Sequence, residues 1–234
     1  MLRLKLNHLS GELLNLLFPS LCNACGILLY KGEDLICTRC LYDLPYTDFH
    51  SYTDNPVAKQ FWGRVSLNAA MALFYFGKGS KVQKLIHNLK YKDQTLLGNK
   101  LGNMLGVLLL SAPAYKDISL IVPVPLHKKR ERQRGYNQSK CIAEGIAEII
   151  NAPLAHQLLT RVVETSSQTK KGRYKRFENM KTVFKVKEEF DLKHHHILLV
   201  DDVMTTGATL EACCIELLKL QPLKLSIATI AFAK

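Results

Sequence analysis

The chain predicts an α/β fold in which helices flank a parallel sheet, with a small four-cysteine module in front. Three observations lead there. Apolar runs at 119–123, 197–200 and 225–232 have the length and hydrophobicity of buried strands. They alternate with stretches whose leucines and isoleucines recur at helical spacing, the pattern of an α/β sheet. Ahead of both stands Cys22-x2-Cys25-x11-Cys37-x2-Cys40. The expected division is 1–66 for a short helix plus the cysteine module, and 67–234 for the α/β body.

In residues 1–19, Leu6, Leu9, Leu13, Leu16 and Leu17 fall at helical spacing, so a short amphipathic helix packed on the body is expected. Arg3 and Lys5 precede no signal-peptide core, because Asn7, His8, Ser10, Gly11, Glu12 and Asn15 interrupt it. No apolar run approaches the roughly 20 residues of a membrane span. A cytoplasmic protein is the expectation.

The paired Cys-x2-Cys knuckles can surround one tetrahedral ion with four thiolates, a closed arrangement typical of structural Zn2+. Gly26 suits the tight turn after the second cysteine. Iron is the alternative ion, and disulfides conflict with a reducing compartment. Cys141, Cys213 and Cys214 lie in helical stretches and read as small core residues. Around the module lie Tyr30, Tyr42, Tyr46, Phe49, Tyr52, Phe61 and Trp62. Packing explains them better than base stacking, because residues 1–66 carry six Lys/Arg and six Asp/Glu and offer no net attraction to a phosphate backbone.

Further along, 69–76 reads as a strand with β-prone Phe74, Tyr75 and Phe76. Val82, Leu85, Ile86 and Leu89 mark a helix ending in Lys90-Tyr91-Lys92, and 96–110 marks another. The strand at 119–123 runs into Pro123-Val124-Pro125, which ends regular structure. The basic cluster 127–134 is bracketed by Pro125 and Gly135 and is expected as a loop, with a solvated basic helix start as the alternative. A helix follows over 139–150, then a strand over 158–163. Residues 165–179 are polar, basic and long for an internal connection, a pattern shared by lids and disordered tethers. Strands at 180–186 and 197–200, a helix at 210–218 and a strand at 225–232 close the chain. His194-His195-His196 precedes a strand without nearby thiolates, so a solvated loop is expected there rather than a metal site.

The formal charge of +12 is confined to residues 67–234, which hold 26 Lys/Arg against 14 Asp/Glu. Two clusters, 127–134 and 170–176, hold five cations each. The ligand should therefore be polyanionic, a small polyphosphate or a nucleic acid.

One run narrows the choice. The strand Ile197-Leu198-Leu199-Val200 meets Asp201-Asp202, and Thr205-Thr206-Gly207-Ala208-Thr209 follows before a helix begins. A turn of small residues at a helix start can aim backbone N–H groups and hydroxyls at a phosphate. Two acids at a strand's carboxyl end can accept bonds from ribose hydroxyls or hold Mg2+ through water. A mere capped helix needs no such combination, and a Walker-type loop would continue Gly-Lys-Ser/Thr.

This run resembles the phosphoribosyl-pyrophosphate (PRPP) signature of type I phosphoribosyltransferases. The resemblance implies that Asp201 and Asp202 bind ribose hydroxyls at the reacting centre and that Thr205, Thr206, Gly207, Ala208 and Thr209 bind the 5-phosphate. Val122-Pro123-Val124-Pro125-Leu126-His127, Arg134-Gly135-Tyr136-Asn137-Gln138, the order Arg161, Thr165, Gln168, Arg176, Asn179, Phe184 and the four-cysteine module together resemble the ComF family, a phosphoribosyltransferase-like group linked to bacterial competence. Tyr136 stands where that family often has phenylalanine. The resemblance implies a pyrophosphate loop with Lys128, Arg130 and Arg134, and a hood loop with Arg173 and Arg176. It also implies Mg2+-dependent transfer of phosphoribosyl from PRPP to an acceptor, with structural Zn2+ in front. The competing expectation is a non-catalytic protein that senses PRPP or handles single-stranded DNA alongside competence-machinery proteins.

Overall fold

The computed structural model describes residues 19–91, 94–162, 183–187 and 189–233. The expected N-terminal helix and the stretch 165–179, with Arg173 and Arg176, lie outside the described residues. In chain order the elements begin with α1 (Thr38–Asp43), α2 (Pro56–Lys59), β1 (Ala69–Phe76), α3 (Lys81–Tyr91) and α4 (Thr95–Ser111). Then come β2 (Leu120–Pro123), α5 (Lys128–Arg134), α6 (Gln138–Ile150), β3 (Leu159–Arg161) and β4 (Phe184–Val186). The chain closes with β5 (His196–Met204), α7 (Ala208–Leu218) and β6 (Lys224–Ala233).

Strands β1, β6, β5 and β2 form one parallel sheet in that order. Successive residues of β1, β5 and β6 are buried, so the sheet is covered on both faces, as its continuous apolar runs required. Both outer edges are closed by chain that is not in the sheet. Along β1, Tyr75 donates to the Pro45 carbonyl at 2.9 Å and Thr47 to that of Leu73 at 2.9 Å. Along β2, Ile121 donates to Pro153 at 2.9 Å and receives a bond from Ala155 at 2.8 Å. Unpaired backbone groups at a sheet edge are an aggregation hazard, and these bonds remove it.

Three expectations need correction. The runs at 158–163 and 180–186 do not join the sheet; β3 and β4 make a separate antiparallel pair. Their central residues, Thr160 and Lys185, are exposed, and a strand wetted on one face cannot sit inside a doubly covered sheet. The cluster 127–134 is helix α5 rather than a loop. His127 caps it by accepting from the Lys129 N–H at 3.3 Å, and Gly135 ends it at φ 83°. Proline ahead of a cap and a left-handed glycine behind it are helix boundaries as readily as loop boundaries. Finally, His196 is not in a solvated loop. It is buried as the first residue of β5, with Nε2 2.8 Å from Ser226 Oγ. Burial, with Lys224 nearby, pushes its pKa down to about 4.

Helices α4 and α6 lie unusually close. An added Cβ at Gly102 would sit 2.1 Å from the Ile142 carbonyl oxygen, and one at Gly145 would sit 2.2 Å from that of Asn99. At Gly98 and Gly106, one turn to either side, an added Cβ would lie 2.6 Å from the Cβ of Cys141 and 2.8 Å from that of Ile149. The glycine row lets α6 press onto the sheet, and α6 carries Gln138 and Ser139 at its start. We expect Gly102→Ala to lower stability by about 2–3 kcal/mol, because a backbone carbonyl cannot move aside as a side chain can. Thermal unfolding of the variant should show a lower Tm with the same cooperativity.

Candidate functional site

The carboxyl ends of β2 and β5 lie side by side, with the Val124 N–H bonded to the Val200 carbonyl at 2.8 Å. A cleft of about 190 Å³ opens there. Its walls are Asp201, Asp202 and Val203 from β5, Thr209 from α7, residues 124–126 after β2, Arg130 and Arg134 from α5, and Asn137 to Ser139 at the start of α6. Lys90 and Arg161 complete it. Carboxyl ends of parallel strands are where open α/β sheets bind ligands.

Strand β5 is longer than its apolar core suggested. Pairing with β6 continues through Asp201 (opposite Thr229), Val203 and Met204, so the acids belong to the strand rather than to a turn after Val200. Neighbouring strand residues point to opposite faces, and the two carboxylates accordingly meet different partners. Asp201 Oδ1 accepts from Ser139 Oγ at 2.8 Å and from the Asp202 N–H at 2.9 Å. Asp202 Oδ2 pairs with Lys90 Nζ at 2.8 Å. Burial, and then the Asp202 charge, pushes the Asp201 carboxyl up to about 7.

After Met204 the chain turns through Thr205 and Thr206, both exposed, to Gly207 at φ 74°. That conformation is open to glycine at little cost, and it starts α7. The first turn of α7 leaves backbone N–H groups without helical partners. Thr209 reaches the cleft; Thr205, Thr206, Gly207 and Ala208 form the adjoining turn.

Helix α5 divides its charge. Arg130 and Arg134, four residues apart, line the cleft, whereas Lys128, Lys129 and Arg132 are exposed. Lys128 is therefore not a cleft residue, contrary to expectation. Arg134 is braced by the Gln138 Oε1 acceptor at 2.8 Å and lies 5.5 Å over the Tyr91 ring. Arg161 lies 5.3 Å over the Phe184 ring. Burial and the nearby Arg130 hold its pKa below the usual value. Asn137 joins the loop after β2 to α6: it donates to the Val124 carbonyl at 3.0 Å and caps α6 through Ser139 N–H at 3.0 Å. Lys90 and Ser139 escaped the sequence reading as site residues. A lysine at a helix end and a serine at a helix start carry no spacing signal toward acids more than 60 positions away.

The front module fits a metal. The four cysteine sulfurs, Cys22, Cys25, Cys37 and Cys40, lie within 4.8 Å of one another. Cys25 and Cys37 sulfurs are 3.8 Å apart, close to the edge of a tetrahedron with Zn–S bonds of about 2.3 Å. The Cys37 N–H donates to Cys22 Sγ at 3.2 Å, and Gly26 turns the knuckle at φ 81°. At Cys22, upward pressure from burial is outweighed by the N–H donors of Cys37, Cys25 and Ala24, which bring its thiol down to about 6. Such a cluster can hold zinc. Of the aromatics around the module, Phe49 and Phe61 are buried as the packing expectation has it, and Tyr46 meets Phe74 at a tilt, but Tyr30, Tyr42, Tyr46, Tyr52 and Trp62 are exposed.

Residues 140–234 match the phosphoribosyl transferase domain family. Competence protein F of Haemophilus influenzae is 31% identical over 132 residues, 54% of this chain and 57% of that protein. The DNA utilization protein YhgH of Escherichia coli is 28% identical over 193 residues, 81% of this chain and 74% of that one. Competence protein ComFC of Bacillus subtilis is 36% identical over 91 residues, 39% and 35% of the two chains. Together these likenesses support kinship with the ComF family. The phosphoribosyl transferase match spans most of α6, then β3, β4, β5, α7 and β6, and so includes both acids and the small-residue turn. The alignment to YhgH, over 81% of this chain, reaches well beyond the domain match at 140–234. Among the described residues no helix is long and apolar enough to cross a membrane.

The raised Asp201 pKa has a consequence for stability. A carboxyl that ionises near pH 4 unfolded and about 7 folded weakens the folded state as pH rises between those values. Asp201→Asn removes the ionisation and keeps an oxygen for Ser139. Without ligand, the variant should be more stable than the parent above pH 7, on the order of 2–4 kcal/mol, with the gain fading toward pH 4. Urea titrations at several pH values check this.

Proposed function

We propose that the cleft binds PRPP with Mg2+ and that the protein transfers phosphoribosyl to an acceptor in work linked to DNA uptake. One observation carries the reading: an acid pair and a small-residue helix start on one wall, facing Arg130, Arg134, Arg161 and Lys90 on the others. A sugar carrying a 5-phosphate and a 1-pyrophosphate asks for both halves. The 5-phosphate sits on the 205–209 turn, against the free N–H groups of α7 and the threonine hydroxyls. Asp201, held in place by Ser139, and Asp202, held by Lys90, accept from the ribose hydroxyls. Arg130 and Arg134 face the pyrophosphate, since guanidinium forks match phosphate oxygens. As the C1–O bond breaks, these fixed cations stabilise the charge growing on the leaving group without reorganising. Carboxylate oxygens suit Mg2+, which would add charge stabilisation to the same pyrophosphate. Arg173 and Arg176 belong to the loop proposed to cover the ligand.

The zinc is proposed to be structural, because four thiolates leave no open position. A second reading, in which the protein senses PRPP or handles single-stranded DNA without catalysis, is supported by the outward cations of α5 and by the competence and DNA-utilization names of the relatives. PRPP with Mg2+ should raise the wild-type Tm by several degrees, as expected for ligand well above its Kd. Asp201→Asn with Asp202→Asn should lose that shift; an equal shift in the double variant removes these acids from the site. Release of pyrophosphate in the presence of bases, amines or single-stranded DNA separates transferase from sensor. Elemental analysis of the same protein should find zinc; iron, or no metal, would overturn the zinc assignment.

A further inference from the structure

The segment between the cysteine module and β1 reaches into the phosphate turn from below. Phe61 is buried, and its ring would lie 3.2 Å from a Cβ placed on Gly207. Three residues on, Arg64 NH1 pairs with Glu211 Oε2 at 2.8 Å. The Glu211 side chain is 2% exposed and Arg64 38%. Glu211 is the fourth residue of α7, and its N–H donates to the Gly207 carbonyl at 2.8 Å, closing the helical turn that begins at the glycine. The segment cannot drift relative to the sheet. Asn55, fully buried, donates to the carbonyls of Ala70 on β1, Phe49 and Tyr52, at 2.8, 3.1 and 2.9 Å.

We propose that Arg64 and Phe61 are positioning residues for the 205–209 turn, so that the front segment is part of the anion site's construction. This rests on the PRPP reading for the ligand, but not for the mechanics. Glu211 places a desolvated negative charge one turn from the proposed phosphate position, where it would repel the ligand unless neutralised. Arg64 supplies that neutralisation from outside the α/β body, while its grip on Glu211 and the ring beneath Gly207 keep the left-handed turn in one geometry. Along α7 itself, the positions one turn to either side of Glu211 are Gly207, Ala208, Cys214 and Ile215, none of them a cation.

Amide hydrogen exchange of the ligand-free protein tests the mechanics, and Mg2+-PRPP calorimetry tests the effect on binding. Both use the full chain at a temperature where circular dichroism shows each variant folded. In Arg64→Gln, amides of 205–211 should exchange about tenfold faster while those of β6 stay protected. Affinity for PRPP should fall about tenfold. Arg64→Lys, which keeps the charge, should recover most of both. The double change Arg64→Gln with Glu211→Gln should recover affinity relative to Arg64→Gln, because no unpaired charge remains. Should Arg64→Gln not fold, Phe61→Leu should speed exchange at the same amides. Exchange and affinity within twofold of wild type in Arg64→Gln would overturn the proposal. Faster exchange in Arg64→Gln, combined with no PRPP binding by wild type, would remove PRPP as ligand and leave the coupling standing.

Discussion

A strand buried on both faces can end in two adjacent carboxylates only if something outside the strand compensates them, and most of this molecule's architecture supplies that compensation. Asp201 and Asp202 sit on β5, in the middle of the sheet, with β6 paired alongside past both acids. The side-chain alternation of the strand sends one toward α6 and the other toward α3. Asp202 pairs with Lys90. Asp201 accepts from a hydroxyl and a backbone N–H, but burial and the Asp202 charge outweigh them and push its pKa up to about 7. Asp201 thus carries an electrostatic penalty that a cation or hydroxyl-bearing ligand would relieve, a common trade of stability for function.

Two of the arginines that line the cleft have partners of their own. Arg134 is braced by Gln138 and rests on Tyr91, and Arg161 rests on Phe184. The tight glycine contact of α4 and α6 matters here because it sets how far Ser139 and Gln138 reach over the sheet edge. Packing and chemistry are the same problem at this point: a wider helix–helix spacing would withdraw the only hydroxyl that touches Asp201 among the described residues.

Much of this was legible in the sequence, and the exceptions have physical causes. Continuous apolar runs placed β2, β5 and β6, and leucine spacing placed α3 and α4, because burial on both faces or on one stripe writes a strong periodic signal. The acid pair and the small-residue turn were readable because their chemistry is local. Helix α5 was misread because seven polar residues have no apolar stripe, and its boundaries, Pro125 and Gly135, serve loops equally well. The end of β5 was missed because carboxylates look like a strand's end when its pairing partner is unknown. The Ser139–Asp201, Lys90–Asp202 and Arg64–Glu211 pairs bridge from 62 to 147 positions, and one sequence carries no mark of such pairings. The glycine row of α4 was present in the sequence but weak, since its meaning depends on a partner helix.

The four-cysteine cluster and the cleft look like separate devices, one closing a fold and one binding a ligand. The segment from Asn55 to Arg64, which follows the cysteine module in the chain, is tied to β1 on one side and to the α7 turn on the other. The central claim, however, is the ligand. A crystal structure of the protein grown with PRPP and Mg2+ tests it most directly. The account predicts a 5-phosphate on the backbone N–H groups of 205–209, ribose hydroxyls on Asp201 and Asp202, and pyrophosphate against Arg130 and Arg134. Density for PRPP elsewhere, or an empty cleft at saturating ligand, would contradict it.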